Sequence, residues 1–192
     1  MKKYPLNKVE YYTHFRELIE TLPEGREDAP GISWFTRKGE QQGVTLGKFR
    51  EDVRSLQTVL TARGLAGKHI AILGENSYEW LLVYFAATYC GAVAVCVDVE
   101  QPDDTIRQML EMADVSAMFF IPSLEDVCAP CTTAESNAFY LSGKGTRPNV
   151  QDLIAEGDRL RESGAVGTDE KIVPDPDATA SIVFTSGTTN YS

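Results

Sequence analysis

Residues 69–97 read HIAILGENSYEWLLVYFAATYCGAVAVCV, and the order of side chains in this stretch decides the fold class. Ile70 to Leu73 is a short apolar run, GENS (residues 74–77) supplies a turn, and Ser77 to Cys90 has the length and composition of a helix. Gly91 then interrupts, and Ala92 to Val97 is rich in β-branched residues, as a strand requires. Trp80 to Val97 holds no charge and approaches the lower length limit of a membrane span. The change of composition at Gly91 instead fits a buried helix followed by a buried strand. Strand, crossover helix and strand within about thirty residues make a βαβ unit. Both strands are apolar at successive positions, the pattern of a parallel sheet covered on two faces.

The alternation extends in both directions. Val9 to Leu22 reads as a first helix, Ile32 to Arg37 as a short strand, and KGEQQG (38–43) as a turn, with Val44 resuming the extended pattern. Thr45 is a candidate N-cap for a helix whose apolar residues Leu46, Phe49, Val53, Leu56 and Leu60 recur at steps of three and four. Gly64 offers a left-handed stop. Downstream, a helix spans Asp103 to Met112 after Pro102, and a strand spans Ser116 to Ile121 until Pro122. A second short strand is expected at Ala138 to Leu141 and a helix at Gln151 to Glu162. The polar connector 163–180, with two prolines, returns the chain to a strand at Ala180 to Phe184. These elements imply an α/β domain on a largely parallel sheet with helices on both faces. Residues 1–44 form an N-terminal helix and hairpin, and 45–192 form the βαβ core of a single domain.

Composition narrows the function classes. The chain has 192 residues, with 18 basic against 28 acidic side chains and a formal charge of −10. No basic patch is present to capture a nucleic-acid backbone, so nucleic acid is not an expected partner. Pro5, Asn7 and Glu10 interrupt what would have to be the apolar core of an export signal, and the expected location is the cytoplasm. Cys90 and Cys96 lie in apolar surroundings as small hydrophobes, while Cys128 and Cys131 form a lone C-x-x-C read as a loop bearing two thiols. The only histidines, His14 and His69, are not spaced as a metal-ligand pair.

Few residues suggest chemistry. Glu75 and Glu79 flank the turn after the first parallel strand, where open α/β sheets bind ligands, although acidic residues are also favoured in the first turn of any helix. GKGT (143–146) lacks the upstream glycine of a Walker loop and reads as a surface turn. The last stretch, SIVFTSGTTNYS (181–192), is more informative. Backbone N–H groups around Gly187 could form a concave anion site, and Thr185, Ser186, Thr188 and Thr189 would add hydroxyl donors. On chemistry alone, a phosphate loop and a flexible tail are both open.

TSGTT after an apolar strand resembles the phosphate-binding loop of adenylate-forming enzymes, the family of acyl-CoA synthetases, luciferases and peptide-synthetase adenylation domains. The run from Val44 to Asp114 is similar to that family's opening region: a helix ending in RGLAG, a strand, NSYEW, a helix ending in GAV, an extended stretch and a proline. The resemblance spans about Thr45 to Thr189. It implies a two-step ligase in which a carboxylate attacks the α-phosphorus of ATP to give an acyl adenylate and pyrophosphate, after which a thiol, usually coenzyme A, displaces AMP. Thr185, Ser186, Gly187, Thr188 and Thr189 would hold the ATP phosphates with Mg²⁺, and no residue of the chain is assigned a catalytic role or a metal ligand. The family usually has glycine where this chain has Asn190, a mild departure because asparagine tolerates left-handed backbone. It also has a lysine three positions beyond Asn190, one past Ser192. The chain is therefore expected to be the N-terminal portion of the family's large domain, inactive by itself, with apolar surface that leads to self-association. A fatty acid is the first expectation for the acyl substrate, with aryl and aminoacyl substrates as alternatives. A nucleotide- or anion-binding module without catalysis is the alternative function.

Overall fold

In a computed structural model, residues 11–36, 38–131, 137–164 and 173–184 are described. Helix α1 (Phe15–Thr21) leads to an antiparallel hairpin, β1 (Pro30–Phe35) and β2 (Gln41–Thr45). Helix α2 (Leu46–Ala62), β3 (His69–Leu73), α3 (Tyr78–Tyr89) and β4 (Val93–Val97) follow, then α4 (Asp103–Met112) and β5 (Ala117–Phe120). A short helix α5 (Glu125–Cys128), β6 (Ala138–Tyr140), α6 (Val150–Glu162) and β7 (Ser181–Val183) complete the order.

Five strands make one parallel sheet in the order β6-β5-β3-β4-β7. Alternate side chains of each strand enter two cores, as the two-residue period of a strand dictates. Ile70, Ile72, Ala94, Ala117, Phe119 and Phe139 pack with α1, α2, α3 and α6 on one face. Ala71, Leu73, Val95, Val97, Met118 and Phe120 pack with α4 and α5 on the other. The expected α/β sheet with helices on both faces is present, and among the described residues no helix is long and apolar enough to cross a membrane. Trp80–Val97 divides into helix and strand at Gly91, whose φ of +74° is the left-handed value that ends the helix.

Local chemistry fixes the boundaries. Thr45 Oγ1 accepts from the Lys48 amide at 3.1 Å and Ser77 Oγ from the Trp80 amide at 3.1 Å, so both helices begin on a hydroxyl cap. Asn149 and Asp152 close a reciprocal capping box at the start of α6. The first helix is shorter than the pattern from Val9 to Leu22 suggests; Val9 and Glu10 lie outside the described residues. His14 Nδ1 accepts from the Glu17 amide, and Glu17 accepts in return from the Thr13 amide and hydroxyl, which sets the helix start at Phe15. The hairpin also differs from its reading. Gln41, Gln42 and Gly43 are strand residues paired with Phe35, Trp34 and Ser33, and the turn is confined to the residues before them. A two-stranded ribbon open to water does not need apolar alternation, so its glutamines gave no strand signal.

Candidate functional site

The connections of β3 and β4 leave the sheet toward opposite faces. After β3 the chain enters α3, which packs in the first core, and after β4 it enters α4, in the second. The strand order reverses here, since β4 lies on one side of β3 and β5 on the other. Such a switch point opens a crevice at the carboxyl ends of the strands, the usual ligand position in open α/β sheets.

A cleft of about 500 Å³ occupies this position. One wall is Gly74, Glu75, Asn76 and Trp80; the opposite wall is the end of β4 with Asp98 to Glu100, and Val183 and Phe184 close the third side. Gly74 packs closely: a Cβ there would lie 2.3 Å from Leu141 Cδ1 and 3.2 Å from Ile121 Cγ2, so the Leu141 side chain would have to shift. Trp80 is held by stacking on Tyr84, with ring centroids 5.7 Å apart and planes 10° from parallel. Asp98 Oδ1 accepts from the Glu100 amide at 2.9 Å and Oδ2 from Gln101 Nε2 at 3.1 Å, which shapes the turn toward Pro102. The amide bond, followed by the Gln101 bond, holds the Asp98 carboxyl below its ordinary pKa. The cleft therefore has an acidic, hydrogen-bonded rim beside an aromatic face.

The residues singled out in the sequence separate here. Glu75 lines the cleft. Glu79 does not; it sits in the first turn of α3 and accepts from Gln151 Nε2 at 3.5 Å, the structural role that acidic residues commonly have there. His14 caps α1, and His69 Nδ1 meets the Ala113 carbonyl. Residues 143–146 are an exposed loop in which Gly145 lies against the Tyr140 ring, 2.4 Å from where its Cβ would be. Thr185, Ser186, Gly187, Thr188 and Thr189 lie outside the described residues. The strand that precedes them, β7, runs parallel to β4, and Phe184 at its end is a wall of the cleft. Trp80 and Asp98 also line the cleft, although neither stands out as a site residue in the sequence. Asp98 is marked only by its position directly after β4, and Trp80 only by its place in the first turn of α3, since the strand neighbours that bring them together cannot be read from local pattern.

The fold and its cleft define an open, parallel α/β sheet of the ligand-binding type. The sequence matches the AMP-binding enzyme family over residues 20–190, and the chain belongs to that family. YdaB of Bacillus subtilis strain 168, provisionally named an acyl-CoA ligase, is 27% identical over 161 residues, covering 79% of this chain and 30% of YdaB. The medium/long-chain-fatty-acid–CoA ligase FadD6 of Mycobacterium tuberculosis is 25% identical over 174 residues, covering 90% of this chain and 28% of FadD6. The crystal structure of VinN superimposes with a TM-score of 0.72 at 18% identity, covering 95% of this chain and 45% of VinN. The chain thus spans less than a third of the length of these two curated relatives.

Proposed function

We propose that this chain is part of an ATP-dependent acid–thiol ligase. The substrate carboxylate displaces pyrophosphate from ATP to form an acyl adenylate, and coenzyme A then displaces AMP to form a thioester. The observation that carries this reading is the family match over residues 20–190, which includes both the cleft and the hydroxyl-rich run after β7. Thr185, Ser186, Gly187, Thr188 and Thr189 hold the β- and γ-phosphates, through backbone N–H groups and hydroxyl donors that orient and neutralise the leaving pyrophosphate. Among the described residues no group of three His, Cys, Asp or Glu side chains could hold a metal ion. Mg²⁺ would be carried on the ATP phosphates, because it keeps several waters and takes only one or two protein carboxylates at such sites.

The similarity to FadD6 supports a fatty acid as the acyl substrate. The chain by itself does not complete either half-reaction, a reading supported by the small share of its relatives that it spans. It self-associates through the edge strand β7, where Val183 is 65% exposed and the outer edge has no strand partner among the described residues.

Carboxylate-dependent exchange of pyrophosphate into ATP tests the reading. The purified 192-residue chain is expected to give none with a panel of fatty, aryl and amino acids, and exchange with any of them would overturn its inactivity. Submillimolar ATP affinity without exchange would favour a binding module instead. A clean monomer by light scattering at high protein concentration would overturn self-association.

A further inference from the structure

The C-x-x-C at residues 128–131 is not the open loop its composition suggests. Cys128 ends α5, and Ala129–Cys131 continues directly as a single 3₁₀ turn. In a 3₁₀ turn, side chains three residues apart eclipse one another, and three rises of about 2.0 Å place the two Cα atoms about 6 Å apart. That separation lies inside the range a disulfide spans. The two thiols differ in access. Cys128 is 0% exposed in the core beneath α4, whereas Cys131 is partly exposed and opens on a groove of about 430 Å³ beside Arg107, Leu110, Glu111 and Pro130. Cys131 Sγ donates to the Val127 carbonyl at 3.3 Å, so the exposed sulfur is held back along its own helix toward Cys128.

We propose that Cys128 and Cys131 are a reversible disulfide site, oxidised by a low-molecular-weight disulfide that enters the groove over Cys131. The Cys131 thiolate attacks one sulfur of the reagent, whose S–S bond breaks and releases the first small thiol. The Cys128 thiolate then attacks the Cys131 sulfur, the mixed disulfide breaks, and the second small thiol leaves. The two protein protons end on the two released thiols, so the dithiol is oxidised and the reagent reduced by the same two electrons. Burial pushes the Cys128 thiol up to about 12, with further contributions from Cys131 and Glu125. Burial also raises Cys131, with Arg107 opposing and Glu111 adding to the rise. Such thiols react slowly at neutral pH, and for the same reason each is a poor leaving group once bridged. The bridge would staple the turn that carries Glu125, which holds Arg147 and accepts from the Tyr140 hydroxyl at the end of β6.

The test is native incubation of the full chain with glutathione disulfide, followed by intact-mass and peptide-mapping mass spectrometry. The wild type should lose two hydrogens and yield a Cys128–Cys131 linked peptide that dithiothreitol removes. Cys128→Ser should stop at a glutathione adduct on Cys131, and Cys131→Ser, altering the more exposed thiol, should give neither adduct nor bridge at these positions. A wild-type chain that stays reduced, keeps glutathione on Cys131, or bridges through Cys90 or Cys96 overturns the proposal.

Discussion

The hydroxyl of Tyr78 donates to Asp52 Oδ2 at 2.8 Å across the contact of α2 with α3, and both residues are buried. The other carboxylate oxygen meets Lys48 Nζ one turn earlier on α2. Trp34 of the hairpin stacks on the Tyr78 ring at 5.2 Å and 13°, so one residue ties the hairpin to both helices. Asp52→Ala leaves a buried phenol without this acceptor and is expected to cost about 1–3 kcal/mol. Tyr78→Phe removes the donor but leaves Asp52 its lysine, and should cost about 1 kcal/mol. Urea unfolding of both variants and of the double variant checks this: the double variant should lose less than the sum, because the two residues share one interaction.

Gly157 on α6 faces the α2 backbone so closely that a Cβ would lie 2.0 Å from the Ser55 carbonyl oxygen and 2.5 Å from its carbon. No side-chain rotation relieves a clash with backbone. Gly157→Ala should therefore separate the helices and weaken the bonds that cross this contact, Ser55 to Asp158 and Arg161 to Ser55 and Glu51. The expected loss is about 1–3 kcal/mol or more, although alanine is the better helix former. A thermal melt of this variant beside Gly164→Ala, where nothing lies within 4 Å of the added Cβ, compares a steric clash with a cost free of any clash. Gly164 has φ +65°, so its variant measures the backbone cost alone.

Acid should loosen the contacts of α1 and α6 with α2. Burial raises the Glu20 carboxyl, but hydrogen bonds from Arg54 and Tyr89 outweigh it and hold the group below its ordinary 4.5. Glu51 behaves likewise: burial raises it, while Arg161, Arg54 and Arg50 bring it down. A carboxylate depressed in the folded state adds stability that is fully present above its unfolded pKa and is lost as pH falls through the folded value. Unfolding free energy should thus hold steady above about pH 4.5 and decline below it. Glu20→Gln should lower stability at neutral pH and make the acid decline shallower. An unchanged acid slope would remove Glu20 from the account.

Much of this architecture was readable from local chemistry. Thr45 and the glycines at 64 and 91 mark helix ends because hydroxyl caps and left-handed backbone have few substitutes; their φ values are +71° and +74°. The buried strands β3 and β4 were readable because both faces are covered and the apolar run is unbroken. Strand β1 was readable from the alternation that begins at Ile32, whereas the start of β2, with Gln41, Gln42 and Gly43 exposed, carried no apolar pattern. Helix α5 has only four residues, too few to show a period, and its neighbour Pro130 reads as a loop residue. The cleft was only half legible: Glu75 follows a recognisable strand, but Asp98, Trp80 and Phe184 meet it only through the strand order β3-β4-β7. Sequence separation hides that order, since β7 returns to the sheet after α6 and a long connector.

If the ATP phosphates bind at the carboxyl edge of β3, β4 and β7, as proposed above, backbone amide NMR during a titration of the 192-residue chain with Mg-ATP will locate them there. Binding should be weak, with shifts concentrated at Thr185 to Thr189 and at the cleft rim, Glu75 to Ser77 and Asp98 to Gln101. Shifts centred elsewhere, such as the loop around Lys144, with residues 185–189 unchanged, would contradict it.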